Sequence, residues 1–578
     1  MKPYNKLFYR LLILCISLCF LLSGCSQKSA KTDFDTFTEE LFLEEVCTNT
    51  INLHYTLAYP KDYGIEDYPV SLGDFTMEDL ENYTEELLTL QKELRAFDDG
   101  TLSFEQQLTY DILDDYIETE LSASDLYLYD EVLSPAIGYQ AQLPVLLAEY
   151  TFRTEKDISD YLELASQIDD IFDTLIEFER TKSAAGLFMA DFAVDDIVTQ
   201  MQNFIASPSD NYMLAVFNDK IDAFPDLTDE ARRQYKEQHD KIVTESIIPA
   251  YQKLIDALTE LKGTGRNPGG LCYLPEGDSY YEYLVRSKTG SSKSVKQLMG
   301  NVNDFIMDAL TQITVLSKEN PELLSAFASS CFTLTDPEEI MEDLISKVSN
   351  DFPEAPNVTY TIKQIHESMQ KSSSPAFYLT PPIDDIENNI IYINPLYMSA
   401  DIYPTMAHEG YPGHLYQTVY TSSRNLPLVR NLFSCPGYTE GWATYVEYYS
   451  YGISGLDEDI AELYALDAGA SLALHAYIDL CVNYDGWDAD EVYSYLSQFG
   501  YDDKSVAEEV FQAMVEDPAN YLSYFIGYLE FIELREQAEK LYGDEFTLKE
   551  FHDTVLTLGP APFDILSRYI TRTYKETH

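Results

Sequence analysis

The chain has little positive charge, few histidines and tryptophans, and no paired-cysteine motif. Its 578 residues carry 37 Lys+Arg against 99 Asp+Glu, a formal net charge of −62. Affinity for a phosphate backbone comes mainly from Lys and Arg, so this balance argues against nucleic-acid binding. It does not signal disorder, which needs few apolar and aromatic residues: the chain is 45% hydrophobic, with 46 Tyr and 29 Phe, and can bury a large core. No CxxC pair suggests a zinc ribbon or a redox site. Beyond the N-terminus, no run reaches the roughly 18 uninterrupted apolar residues of a membrane-spanning helix.

The first 25 residues read as a secretory signal. Lys2, Lys6 and Arg10 precede an apolar run from Leu11 to Leu22, and Leu22-Ser23-Gly24-Cys25 resembles a bacterial lipobox. Cleavage before Cys25 and acylation of that residue are expected, with residues 1–24 removed and 25–35 serving as lipidated tether. The protein would then be a water-soluble body anchored by lipid on the outer side of the cell membrane. Five cysteines remain after that, Cys47, Cys272, Cys331, Cys435 and Cys481, an odd number at wide spacings. Buried free thiols are the default expectation.

The rest, 36–578, is expected to be one large, mainly α-helical unit, with an N-terminal half to about 270 and a second half beyond it. Apolar residues recur at three and four over Leu80 to Phe97, Phe104 to Leu121, Ile158 to Phe178, Thr228 to Leu261 and Val295 to Leu316. Asp74, or Thr76 with Glu78, is a plausible cap for the first. Gly263 to Gly270 matches neither phosphate-loop pattern and reads as a turn before the short segment Leu271 to Leu274. The persuasive strand signal is Asn389 to Asn394, just before the most informative residues in the chain.

Those residues are His408-Glu409-Gly410-Tyr411-Pro412-Gly413-His414. In the zinc-peptidase pattern HExxH the imidazoles lie four apart, only about 40° around a helix; six apart gives about 240° and points them away from each other. Pro412 and Gly413 can mark a bulge that brings His414 back to the face of His408. Twenty-six residues on, Glu440 opens a helical segment with Glu447 seven residues further along the same face. Catalytic zinc takes three protein ligands and leaves a position for water. His408, His414 and Glu440 are therefore the candidate ligands, and Glu447 a supporting carboxylate behind them.

These motifs resemble a large bacterial family of proteins of unknown function, grouped with the zincin-type metallopeptidases and often lipoproteins. The likeness rests on the HEGYPGH stretch, Glu440-Gly-Trp-Ala443 with Glu447, Asp479 before Gly486-Trp487, Tyr521-Leu-Ser-Tyr524 with Gly527, and Phe551-His552-Asp553. It extends to Leu274-Pro275-Glu276-Gly277 and Tyr280-Tyr281. Leu415 and Asn483 stand where many members carry histidine. The resemblance implies a helical zincin-like fold with a deep cleft and a small β-sheet beside the active-site helix. A more distant likeness to angiotensin-converting enzyme and thimet oligopeptidase implies that Tyr524 donates to the oxyanion and Tyr521 holds the substrate.

The expected chemistry is hydrolysis of peptides by one Zn2+ ion on His408, His414 and Glu440, with Glu409 moving the proton. Two His and a carboxylate also suit ferrous iron, but the adjacent glutamate favours hydrolysis. The strand Ile390 to Ile393 is expected to offer an edge to an extended peptide. Two other classes remain open: a lipid-anchored solute-binding protein, and an inactive zinc-binding scaffold.

Overall fold

The structure is a computed structural model that describes residues 33–577 except 74–75, 136, 366–369, 371–373 and 398–401. The chain is mainly helical, with a single three-stranded sheet among the described residues. The helices that build the interior include α1 (Met77–Leu94), α2 (Phe104–Leu121), α3 (Gly277–Thr289), α4 (Ile402–Glu409), α5 (His414–Ser422), α6 (Pro436–Ile453), α7 (Glu458–Leu480) and α8 (Asn520–Tyr542).

Local signals account for several of their boundaries. Thr76 caps α1 through a reciprocal box with Asp79 rather than Glu78, and Ser103 does the same for α2 with Gln106. Asp74, the other expected cap, lies outside the described residues. The periodic run Ile158 to Phe178 is two helices, Glu155–Ser166 and Ile168–Ala185, parted at Gln167. Within the short segment after the glycine-rich turn, Leu271–Tyr273 is a 3-10 helix and Leu274 is its extended cap. The run Thr228 to Leu261 stays helical through a π turn at Val243–Ile247. That turn ends just before Pro249, whose missing N–H breaks the regular ladder.

One apolar cluster lies wholly in the N-terminal half, from Ile51 to Leu258. Another joins Phe42, Leu90 and Leu113 to Val429 and Leu432, so the two halves share core. Helix α7 with its π turn, Glu458–Asp485, is long and apolar enough to cross a membrane by length and composition. Half of its apolar window is buried, however, and it packs against α6, α8 and Val295–Glu319 as a core helix of the body.

The sheet holds β1 (Thr359–Gln364), β2 (Ala376–Leu379) and β3 (Asn388–Ile393) in the order β1-β3-β2. Strand β3 pairs parallel with β1, Ile390 opposite Thr361, and antiparallel with β2, Ile391 opposite Tyr378. The strand Ile390 to Ile393 therefore offers no edge, contrary to expectation. It is central because Thr359–Gln364, an alternating exposed and half-buried strand with a weak sequence signal, covers one side of it. The edge that faces α4 belongs to β2, whose Tyr378 N–H donates to Glu409.

Candidate metal centre

His408 lies in the last turn of α4, which ends at Glu409. Gly410 to Gly413, with a cis Tyr411–Pro412 peptide, break the helix, and His414 starts α5. The device is thus a break between two helices rather than a bulge inside one. The turn can close because position 413 has no side chain: a Cβ there would sit 1.8 Å from the His408 carbonyl oxygen. The Trp442 indole donates to the Pro412 carbonyl at 2.9 Å, tying the turn to α6, which carries Glu440 and Glu447.

These three helices bring the expected ligands together. One ligand atom each from His408, His414 and Glu440 lies within 4.8 Å of the others, and all three side chains are buried. Among the described residues it is the one His/Cys/Asp/Glu group that can hold an ion. Glu440 Oε2 stands 3.5 Å from His408 Nε2 and 3.6 Å from His414 Nε2. This buried oxygen makes no hydrogen bond of ordinary length. Bonds of about 2.0–2.1 Å at a tetrahedral angle separate ligand atoms by about 3.4 Å, so the two glutamate–histidine spacings match those of ligands that share one zinc ion.

The chemistry of the donors agrees with the geometry. The Glu447 carboxylate lies 2.8 Å from His408 Nδ1 and accepts its proton, which leaves the Nε2 lone pair facing Glu440. Burial alone would raise the Glu440 carboxyl, but His414 and His408, when their imidazoles are protonated and donate to it, hold it well below the usual carboxylate range. Glu409 is 2% exposed, and its Oε2 accepts from the Tyr378 N–H at 3.0 Å. The other described histidines lie outside this group. His552, for example, donates to the Asp351 carbonyl and accepts from Tyr445, and it packs on Phe352 and Trp442 beneath α6.

The two tyrosines of α8 part company. Tyr524 lies nearly parallel to the His408 ring, centroids 6.5 Å apart, and so borders the centre. Tyr521 packs on His475 of α7 at 4.9 Å, and burial pushes its phenol up. Three residues apart on a helix still leaves about 60° between side chains, enough to face different neighbours. Cys25 lies outside the described residues.

Spacing alone did not expose the supports of this arrangement. Asp479, fully buried in α7, accepts from the Ala519 N–H with both oxygens, at 2.9 and 3.0 Å, and from the Tyr281 hydroxyl. It thereby clamps the start of α8, five residues before Tyr524. Burial pushes its carboxyl up to about 7, against the pull of these donors. Asn483 donates to Asp479 and to the Met514 carbonyl and accepts from Leu271 N–H, so it has a bracing role. Helices α6 and α8 cross at Gly441 and Gly527; a Cβ on Gly441 would lie 2.4 Å from the Gly527 carbonyl carbon.

A lipoprotein candidate from Colwellia psychrerythraea shares the fold with a TM-score of 0.83 at 21% identity, over 94% of this chain and all of the other. A second, of unknown function, from Shewanella oneidensis, matches with a TM-score of 0.66 at 16% identity, over 93% and 100% of the two chains. No curated protein sequence is significantly similar. The profile of a bacterial family of unknown function, DUF885, matches residues 61–570, and the chain therefore belongs to that family.

Proposed function

We propose that the protein is a zinc-dependent hydrolase of peptide bonds, held by a lipid on Cys25 at the outer side of a bacterial cell membrane. The observation that carries this reading is the buried convergence of His408, His414 and Glu440, with Glu447 setting the His408 tautomer. A glutamate with no task is ordinarily hydrated at the surface, whereas Glu440 is 5% exposed between two imidazoles.

His408, His414 and Glu440 would hold a zinc ion, which would supply Lewis acidity to lower the pKa of a bound water towards about 7 and to polarise a carbonyl. Glu409 takes the proton from the attacking water and passes it to the leaving amine. The Tyr378 N–H on its Oε2 keeps the carboxylate in one orientation through both transfers. Tyr524, beside His408, donates its hydroxyl to the oxyanion as charge develops there.

Zinc-loaded protein and its Glu409→Gln variant, each incubated with a mixed peptide library and read by mass spectrometry, test the reading. Wild type should cleave, and the variant should keep its zinc and not cleave. Zinc-loaded wild type that leaves every peptide intact would reduce the protein to a metal-holding scaffold. Mass analysis of the mature N-terminal peptide tests the anchor: diacylglyceryl on Cys25 is expected, and an unmodified terminus would refute it.

A further inference from the structure

A cavity of about 300 Å³ lies between the two halves of the chain, bounded by α1 and α2 on one side. On the other side are α3, Cys435-Pro436 at the start of α6, and Asp517-Pro518 just before α8. The N-terminal helices form one wall, and the three candidate zinc ligands are not among the lining residues. Its volume is in the range of small-molecule sites.

Its lining includes the rings of Tyr83, Tyr116, Tyr280 and Tyr283. Glu120 and the phenols beside it are enclosed by protein yet retain accessible surface, because what they face is the cavity. Seven carboxylates line the space against two cations, and both cations are engaged. Arg286 pairs with Asp115 and Asp564, and Lys288 with Asp517 and the Pro518 carbonyl. Glu131 has its own counterion in the buried Lys182, at 2.8 Å.

Among the described residues Glu120 has no counterion. Its hydrogen-bond partners are the hydroxyls of Tyr83 at 3.0 Å and Tyr283 at 3.1 Å, and burial pushes its carboxyl up. A carboxylate held by two phenols in an aromatic chamber is matched by an ammonium or guanidinium group, which pairs with the charge and rests on the ring faces. An anionic ligand would meet a surplus of like charge. A bare metal ion is a poor fit, since no three of these carboxylates converge on one point.

We propose that this cavity binds a small organic cation, with its ammonium or guanidinium group against Glu120 and its carbon skeleton among the tyrosine rings. The cation can be a free amine or the basic residue of a short peptide. The proposal stands apart from hydrolysis, because binding is read directly.

The test is calorimetric titration of the purified full-length protein with 1,5-diaminopentane, agmatine and a lysine-containing tripeptide, with 1,5-pentanediol as the neutral control. At least one cation should bind where the diol does not. Glu120→Gln should weaken binding about tenfold or more, the loss of one charge-assisted hydrogen bond. Tyr283→Phe, a gentler change, should weaken it less; thermal melts establish that both variants fold, and Tyr283→Phe carries the test if Glu120→Gln does not fold. Binding of the free amines but not the tripeptide assigns a small-molecule site, and the converse a subsite for a basic peptide residue. Cations binding no better than the diol, or binding that neither folded variant weakens, would overturn the proposal.

Discussion

Replacing Glu447 probes the zinc reading through a residue that need not touch the ion. Its carboxylate lies 2.8 Å from His408 Nδ1 and imposes the tautomer whose Nε2 can coordinate. Loss of such a partner typically costs 10–100-fold in metal affinity, about 1.4–2.7 kcal/mol. Glu447→Gln keeps an acceptor but loses the charge, so it should fall near the lower end. Glu447→Leu lets the ring adopt the wrong tautomer and should fall near the upper end. Competition with a chromophoric chelator measures the affinity, and melting gives an independent readout. At zinc one hundred times the wild-type Kd, binding stabilises the fold by about 2.7 kcal/mol, whereas a site one hundred times weaker gains only about 0.4 kcal/mol. Zinc affinity unchanged in Glu447→Leu would refute the assignment of His408 as a ligand held from behind.

Three further outcomes follow from the same structure. Gly441→Ala places a methyl against the Gly527 backbone and should cost about 1–3 kcal/mol or more by thermal or denaturant unfolding, as overpacking does; wild-type stability would contradict the close crossing of α6 and α8. Asp479→Ala removes the clamp on the first residues of α8 and should lower turnover while zinc content holds; loss of zinc in step with activity would show that the clamp serves the ligands instead. Burial pushes the Glu45 carboxyl up to about 8, with Glu44 and Glu86 adding to the rise, and its Oε2 has no hydrogen-bond partner. The folded protein therefore keeps a proton that the unfolded chain sheds near pH 4.5, so stability falls as pH rises from about 4.5 to 8 and is level above. Glu45→Gln should melt higher than wild type at pH 8 and not at pH 4; an equal difference at both would contradict the burial argument.

The candidate ligands were legible in the sequence because metal chemistry restricts residue types. Two histidines flanking Gly-Tyr-Pro-Gly, then two glutamates seven apart, leave few other arrangements once a helix break is allowed at Pro412. The helical character was legible too, from apolar periodicity, although the break at Gln167 and the π turn before Pro249 lie inside periodic runs. The strand order was not legible, since a central or edge position depends on whether a distant, polar segment such as Thr359–Gln364 pairs alongside. The separation of Tyr521 from Tyr524 depends on His475, nearly fifty residues earlier. The cavity was equally hidden: Tyr83, Glu120 and Tyr283 come from separate helices and meet only in the fold.

The most direct measurement is zinc stoichiometry by elemental mass spectrometry on purified protein after dialysis against trace zinc, with His414→Ala beside wild type. The account predicts one zinc per wild-type chain and none in the variant, with both folded by circular dichroism. Wild-type protein that holds no stoichiometric metal, or a variant that keeps it, would contradict the claim that His408, His414 and Glu440 form a zinc site.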